Sequence, residues 1–352
     1  MKPSISVIRA GKFVRTAVSA GLLTAGLAMG SASHAAISFT FDYSGNTAGL
    51  GFLDATEGVA RQNALTTAGN LFSNYFSTLF TNSATINLGV TSSDVPGPGT
   101  LASAGSESVF MPGFGGGEVV RNKLVSNGAI DLNGAAALDG FVDVNWGQDW
   151  ELDPNVSVAT QAAGNFDFFA TIFHELTHAL GFASSITEAG DDGFVTNPGN
   201  LKGGLDVAGS WAKFDEFMTN CSSPGGDLID HTTLLTNQAT YNAAKTSAMC
   251  LNGPKAVEAN GGLVAIYAPN PYQNGSSGSH LDESGNNNGA MMKYDRDFNK
   301  DEARTYNAIE IGIMTDIGYT RVAANNNVPE PGSLALLLAG LLGLGYAKRR
   351  KT

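Results

Sequence analysis

The chain has 352 residues, of which 43% are apolar and 15% charged, with 44 glycines and a formal net charge of −12. That length and apolar content allow one large domain or two lobes around a real core, with many turns and loops from the glycine. The acidic balance argues against partners that are themselves polyanions, such as nucleic acid or an anionic membrane surface.

Residues 1–35 carry Lys2, Arg9, Lys12 and Arg15, then an apolar run from Ala17 to Met29, and end on Ser33-His34-Ala35, a small-x-small cleavage site. The pattern predicts a secretory signal peptide, with a membrane anchor as the alternative; His34 would leave with it. Ile37 to Tyr43 alternates and predicts a first strand. Glu57 to Phe80 predicts a helix whose apolar face includes Ala60, Ala64, Leu65, Ala68, Leu71, Phe72 and Phe76. Ala84 to Val90 predicts a second strand, and Gly140 to Trp146 another. Ser92 to Gly117, rich in Gly, Pro and Ser and without period, predicts a long surface loop.

Residues Phe166 to Phe182 hold His174, Glu175 and His178 in an H-E-x-x-H pattern. Phe166, Phe169, Phe173, Leu176 and Leu180 recur at helical spacing, which predicts one apolar stripe facing a core while the two histidines face a cleft. Asn165 can cap the start, Asp167 suits the positive end of the dipole, and Gly181 can end the helix in a left-handed turn. Residues four apart on a helix share a face, so both imidazoles can reach one Zn²⁺. The ion would lower the pKa of a bound water to about 7, and Glu175 stands where it can take that water's proton. The alternative is a buried amphipathic helix with two incidental histidines.

Such a zinc site needs a third protein ligand. Beyond the motif only His231 and His280 remain. His231 lies between Cys221 and Cys250, a pair that in an exported chain predicts one disulfide, with two buried free thiols as the alternative. Asp295 to Glu302 spaces its oxygen-bearing side chains like the start of a Ca²⁺ loop but lacks the glycine at the sixth position and the glutamate at the twelfth; a solvated turn leading into the last helix is the preferred reading, with Ca²⁺ the weaker one. That last helix is predicted from about Asp301 to Ile317. The tail closes with Val328-Pro329-Glu330-Pro331, an apolar run from Leu334 to Ala347, short for a relaxed spanning helix, and Lys348 to Lys351. Without both ends, residues 36–328 carry a net charge near −19, which suits a soluble exported protein.

Two resemblances follow from these residues. The tail resembles the bacterial PEP-CTERM sorting signal. That resemblance implies export through the inner membrane of a Gram-negative bacterium, recognition by an exosortase-type enzyme and removal of residues 329–352; an ordinary tail anchor is the alternative. The stretch His174-Glu175-Leu176-Thr177-His178-Ala179-Leu180-Gly181-Phe182 resembles the metzincin zinc proteases, most of all the leishmanolysin-type branch. Most metzincins place the third histidine three residues after the glycine, where this chain has Ser184. The leishmanolysin-like form takes it from a later G-S-H segment, which Ser279-His280 fits.

The resemblance implies an α+β fold, with a mixed sheet and active-site helix in an upper lobe (36–181) and an irregular lower lobe (182–322) that ends in a helix. It implies His174, His178 and His280 as zinc ligands, Glu175 as general base, Gly181 as the turn between lobes, and Met292 as the floor beneath the ligands, with Met291 as the alternative. Tyr294 is implied as an oxyanion stabiliser or else a core tyrosine, and His231 is left as a surface residue. A protein or peptide substrate would pair with an upper-lobe edge strand, for which Phe141 to Trp146 is the candidate. The rival function is a non-catalytic surface or matrix adhesion protein on the same scaffold.

Overall fold

A computed structural model describes residues 37–97, 99–156, 164–193, 198–222, 226–283, 287, 289–296 and 301–323. The expected signal peptide and sorting tail lie outside the described residues. The described chain is mixed α and β and belongs to one compact unit.

Strand β1 (Ser38–Asp42) leads to helix α1 (Gly58–Leu79) and strand β2 (Thr85–Ser93), where Ile86, Leu88 and Val90 alternate inward as a period of two requires. Within α1, Leu65, Ala68, Phe72 and Phe76 are buried at helical spacing, whereas Ala60 and Leu71, expected on the same face, turn outward. Gly69 on α1 admits β1, since a Cβ there would stand 3.2 Å from the Phe41 ring. The chain continues through β3 (Ala102–Ser106), the two-residue β4 (Gly113–Phe114), α2 (Val119–Val125) and β5 (Gly140–Asn145). The main sheet runs β1-β2-β5-β3. Its first three strands are parallel, and β3 pairs antiparallel with β5 in the register Ala104↔Val142.

Two expectations are corrected here. The segment 92–117 is not one long loop, because it extends β2 to Ser93 and contains all of β3. And Phe141 to Trp146 is not a free edge: β5 is held between β2 and β3, and the strands at the two edges of this sheet are β1 and β3, of which β3 borders the cleft. The physical reason is local. Ala102-Ser103-Ala104-Gly105-Ser106 has no bulky apolar alternation, and the ring of Phe141 on β5 covers Gly105, so the larger neighbour supplies the packing that β3 lacks.

Past the short pair β6 (Trp150–Glu151) and β7 (Phe166–Asp167), helix α3 (Phe168–Ala179) crosses behind the sheet, and the Phe72 ring of α1 meets Phe173 of α3 edge-on at 5.4 Å. After α3 the chain is irregular as expected, with β8 (Ser210–Trp211) pairing β4. A small antiparallel sheet then forms from β9 (Met218–Asn220), β10 (Met249–Leu251) and β11 (Val264–Ala265), with α4 (Gln238–Ala244) and α5 (Pro254–Asn260) around it. Cys221 and Cys250 are joined in a disulfide beside this sheet.

The last helix, α6 (Ala308–Asp316), is shorter than expected. Asn307 accepts the N–H groups of Ile309 and Glu310, and Glu310 accepts that of Asn307, a capping box that starts the helix there. Residues 301–306 instead bridge elements: Arg304 reaches Asp167, and the Tyr306 N–H donates to the Tyr75 hydroxyl. One hydrophobic core runs through both halves of this unit, from Phe72 and Leu176 to Ile313 and Tyr319.

Candidate metal centre

Helix α3 is positioned at both ends. At its start the cap is Asp167, not Asn165: the Asp167 carboxylate accepts the Ala170 N–H at 3.0 Å and also receives the Arg304 guanidinium at 2.8 and 3.1 Å. At its end Gly181 takes φ +102°, a backbone angle that a side chain resists. That turn returns the chain so that the Phe182 carbonyl accepts from His178 Nδ1 at 2.7 Å. The whole helix is buried, so its histidines look into a cleft within the molecule, not onto open surface.

His280 is brought to the same place from over a hundred residues away. Its Nε2 lies 3.1 Å from His174 Nε2 and 3.2 Å from His178 Nε2, and the two helical histidines are 3.0 Å apart at the same atoms. Each Nδ1 faces a main-chain carbonyl: Met291 for His174 at 2.8 Å, Phe182 for His178 at 2.7 Å, Ser276 for His280 at 2.9 Å. A carbonyl can only accept, so each Nδ1 carries the proton and each Nε2 presents a lone pair inward. Burial lowers all three side chains, His178 to about 3 and His280 to about 4, which keeps the rings neutral. Among the described residues this is the cluster arranged to hold a metal ion.

Three unprotonated nitrogens this close, with no hydrogen between them, repel unless a cation lies among them. Their spacing is near the edge of a zinc tetrahedron, about 3.3 Å for Zn–N arms of about 2.0–2.1 Å. Each ring is also held by a hydrogen bond at its far nitrogen, as ligating histidines are. The donor set therefore fits Zn²⁺.

Glu175 stands beside the cluster. Burial pushes its carboxyl up to about 7, while the Arg296 guanidinium and the Ala104 N–H of β3 pull the other way. Tyr294 lines the same cleft, half out of it, with its ring stacked on Tyr267 at 4.1 Å and edge-on to His280 at 5.9 Å. Met291 and Met292 are both fully buried. The Met291 carbonyl serves His174, and the Met292 N–H donates to Glu310 of α6 at 2.6 Å. Ser184, where a compact metzincin motif would have its histidine, donates to buried Asp215 at 2.6 Å, and its N–H donates to Ser279 next to His280. His231 is elsewhere, half exposed against the Phe114 ring at 4.9 Å.

Two residues of the site escaped sequence reasoning. Arg296, read as part of a solvated turn, is turned inward with Glu302, each side chain 7% exposed and 3.6 Å apart. It donates to the same Met291 carbonyl that holds His174. The rest of that expected turn, residues 297–300, lies outside the described residues, so the Ca²⁺ alternative does too. Glu118, at the start of α2, also lines the cleft; burial raises its carboxyl to about 7. Neither has a sequence signal, because each is a lone charge outside any motif. The cleft itself has a volume of about 1400 Å³, with β3 along one wall and Ser184 to Thr187 and Ser276 along the other.

Residues 327–351 match the PEP-CTERM protein-sorting motif. This motif is the signal that exosortase recognises, and it implies export and sorting to the cell envelope of a Gram-negative bacterium. No curated protein matches the chain. Among the described residues no helix is long and apolar enough to cross a membrane.

Proposed function

We propose that the chain is an exported zinc-dependent endopeptidase on a metzincin-like scaffold of the leishmanolysin type. The observation that carries this reading is the convergence of three Nε2 lone pairs within 3.0–3.2 Å, beside a buried glutamate in a cleft. His174, His178 and His280 would hold the ion. When bound, Zn²⁺ acidifies a coordinated water and polarises a peptide carbonyl.

The chain's own residues do the rest. Glu175 takes the proton of the attacking water and returns it to the leaving amine, and the Ala104 N–H keeps its carboxylate turned toward the cleft. Among the described residues strand β3 ends the main sheet, and its outward main-chain groups, apart from the Ala104 N–H that serves Glu175, would pair with an extended peptide substrate. The Tyr294 ring stands edge-on to His280 at 5.9 Å, and its hydroxyl would be the donor to the oxyanion. Gly181 and the turn at Met291 and Met292 hold the ligands from below.

The test is zinc content and casein hydrolysis of the purified protein beside three variants. One zinc per chain, with turnover lost and zinc kept in Glu175→Ala, supports the reading. His280→Ala should lose zinc and His231→Ala should keep it. Loss of zinc in His231→Ala instead would sink the ligand assignment. A wild type that holds zinc, cuts nothing and behaves like Glu175→Ala would favour the surface-binding alternative that the sorting motif allows.

A further inference from the structure

The chain leaves the fold beside the C-terminal end of α1. The Val322 N–H donates to the Leu79 carbonyl at 2.8 Å, Phe80 and Arg321 form an antiparallel bridge, and the Arg321 guanidinium lies over the Phe80 ring at 5.8 Å. The Thr320 N–H donates to the Asn82 side chain at 2.6 Å. Asn82 in turn donates to the Leu124 carbonyl, and the Ser83 N–H donates to the Asn127 side chain at 3.0 Å. Three stretches therefore form one face around the exit: the last turns of α1 with residues 80–83, the turn 126–130 that follows α2, and Thr320 to Val322.

This face differs from the rest of the chain in charge. Of 32 acidic residues, none lies between Arg61 and Asp94, between Lys123 and Asp131, or from Ile317 to Ala323. A helix face turned to solvent ordinarily carries charges, and α1 carries none from Gln62 to its end. Asn74, Thr78, Thr81, Asn127 and Thr320 are exposed here, and Arg321 is the one charged side chain of the three stretches.

The tail sets which way this face looks. Val322 is tied to the fold, the sorting motif begins at residue 327, and the apolar run begins at Leu334. The twelve residues from Val322 to Leu334 reach at most about 40 Å when fully extended. A fold of this length is about 50 Å across, so a path from its far side round to a bilayer would take about 75 Å. With the apolar run in a membrane, the exit face is the side nearest the lipid.

We propose that this acid-free face rests on the lipid headgroups of the membrane that holds the tail, with Arg321 against an anionic phosphate. Anionic lipid repels the acidic remainder of the surface, so the tether and the charge pattern select the same orientation. One arginine near such a surface strengthens contact by only about fivefold. The face therefore docks through the tether and lets go once the tail is removed. The proposal rests on the sorting motif and is independent of the protease reading.

The test uses the chain with its tail, inserted in phosphatidylcholine vesicles that carry phosphatidylglycerol and a headgroup nitroxide. A fluorophore is placed at Thr78 or at Val59 as an unnatural amino acid, which spares the disulfide. Both positions are exposed, and along α1 they lie about 28 Å apart. Quenching at Thr78 should exceed that at Val59 severalfold. With Asn74→Glu and Arg321→Glu together, the Thr78 signal should fall severalfold at low salt and return in about 0.5 M salt, where repulsion is screened. Should that variant fail to fold, the unaltered chain decides: a rising share of phosphatidylglycerol should raise quenching at Thr78 and lower it at Val59. Equal quenching at the two positions, a Thr78 signal indifferent to both the glutamates and the lipid charge, or a chain that its tail does not hold to the vesicles overturns the proposal. A difference seen in native membranes but not in pure lipid also overturns it, and assigns the face to a membrane protein instead.

Discussion

Each of the three histidines fixes its ring by donating from Nδ1 to a different stretch of main chain, and burying these rings has a measurable proton cost. The unfolded chain binds a proton at each histidine near its ordinary value of 6.5, while folded His280 resists until about 4. Between these values the unfolded chain carries more protons, so stability falls as the pH falls, by about 1.4 kcal/mol per pH unit for each such group. In zinc-free protein His280→Ala should reduce the slope of unfolding free energy against pH by about that amount between pH 4.5 and 6. An unchanged slope would mean that His280 titrates freely in the fold. The helical pair was legible because i and i+4 share a face whatever the rest of the chain does. His280 was legible only through resemblance, since no local rule links it to a partner 102 residues back. Arg296 and Glu118 were not legible at all: an isolated charge reads as surface unless the fold that desolvates it is known.

At the scale of elements, helix α3 depends on what happens just outside it. Asp167→Ala removes both the cap and the partner of Arg304, and should cost about 1–3 kcal/mol; Asp167→Asn keeps the cap acceptor and should cost less. Thermal melting of the two variants side by side checks this, and equal losses would assign the whole effect to the ion pair. At the other end, Gly181→Ala forces a Cβ into a backbone at φ +102° and toward Glu118. It should cost about 1–3 kcal/mol and weaken zinc, because the Phe182 carbonyl that orients His178 moves with the turn. Titration with a zinc chelator would reveal whether the second effect is present. The edge strand shows where sequence patterns run out. β3 is small and polar, packs through its neighbour's Phe141, and so carries no alternation of its own. Asn307 misled the other way, since a continuous helical pattern hid a cap that halves the last helix.

In the whole molecule, the small sheet of β9, β10 and β11 is the shelf on which the third histidine rests: just past β11, the Tyr267 N–H donates to the His280 carbonyl at 2.8 Å. The disulfide at Cys221 and Cys250 closes a 29-residue span across two strands of that shelf. Replacing both cysteines by serine should cost about 3–4 kcal/mol and, on the zinc reading, lower zinc affinity through the looser seat of His280. Zinc retention equal to the wild type would show the shelf to be rigid without its staple. The position of His280 late in the chain has one more consequence. A product of interrupted synthesis or of clipping that ends before residue 280 keeps the helical pair and Glu175, yet lacks the ring that completes the cluster. On the protease reading, such fragments would hold zinc poorly and cut nothing, so activity would have to wait until the segment carrying His280 has been made and folded onto α3.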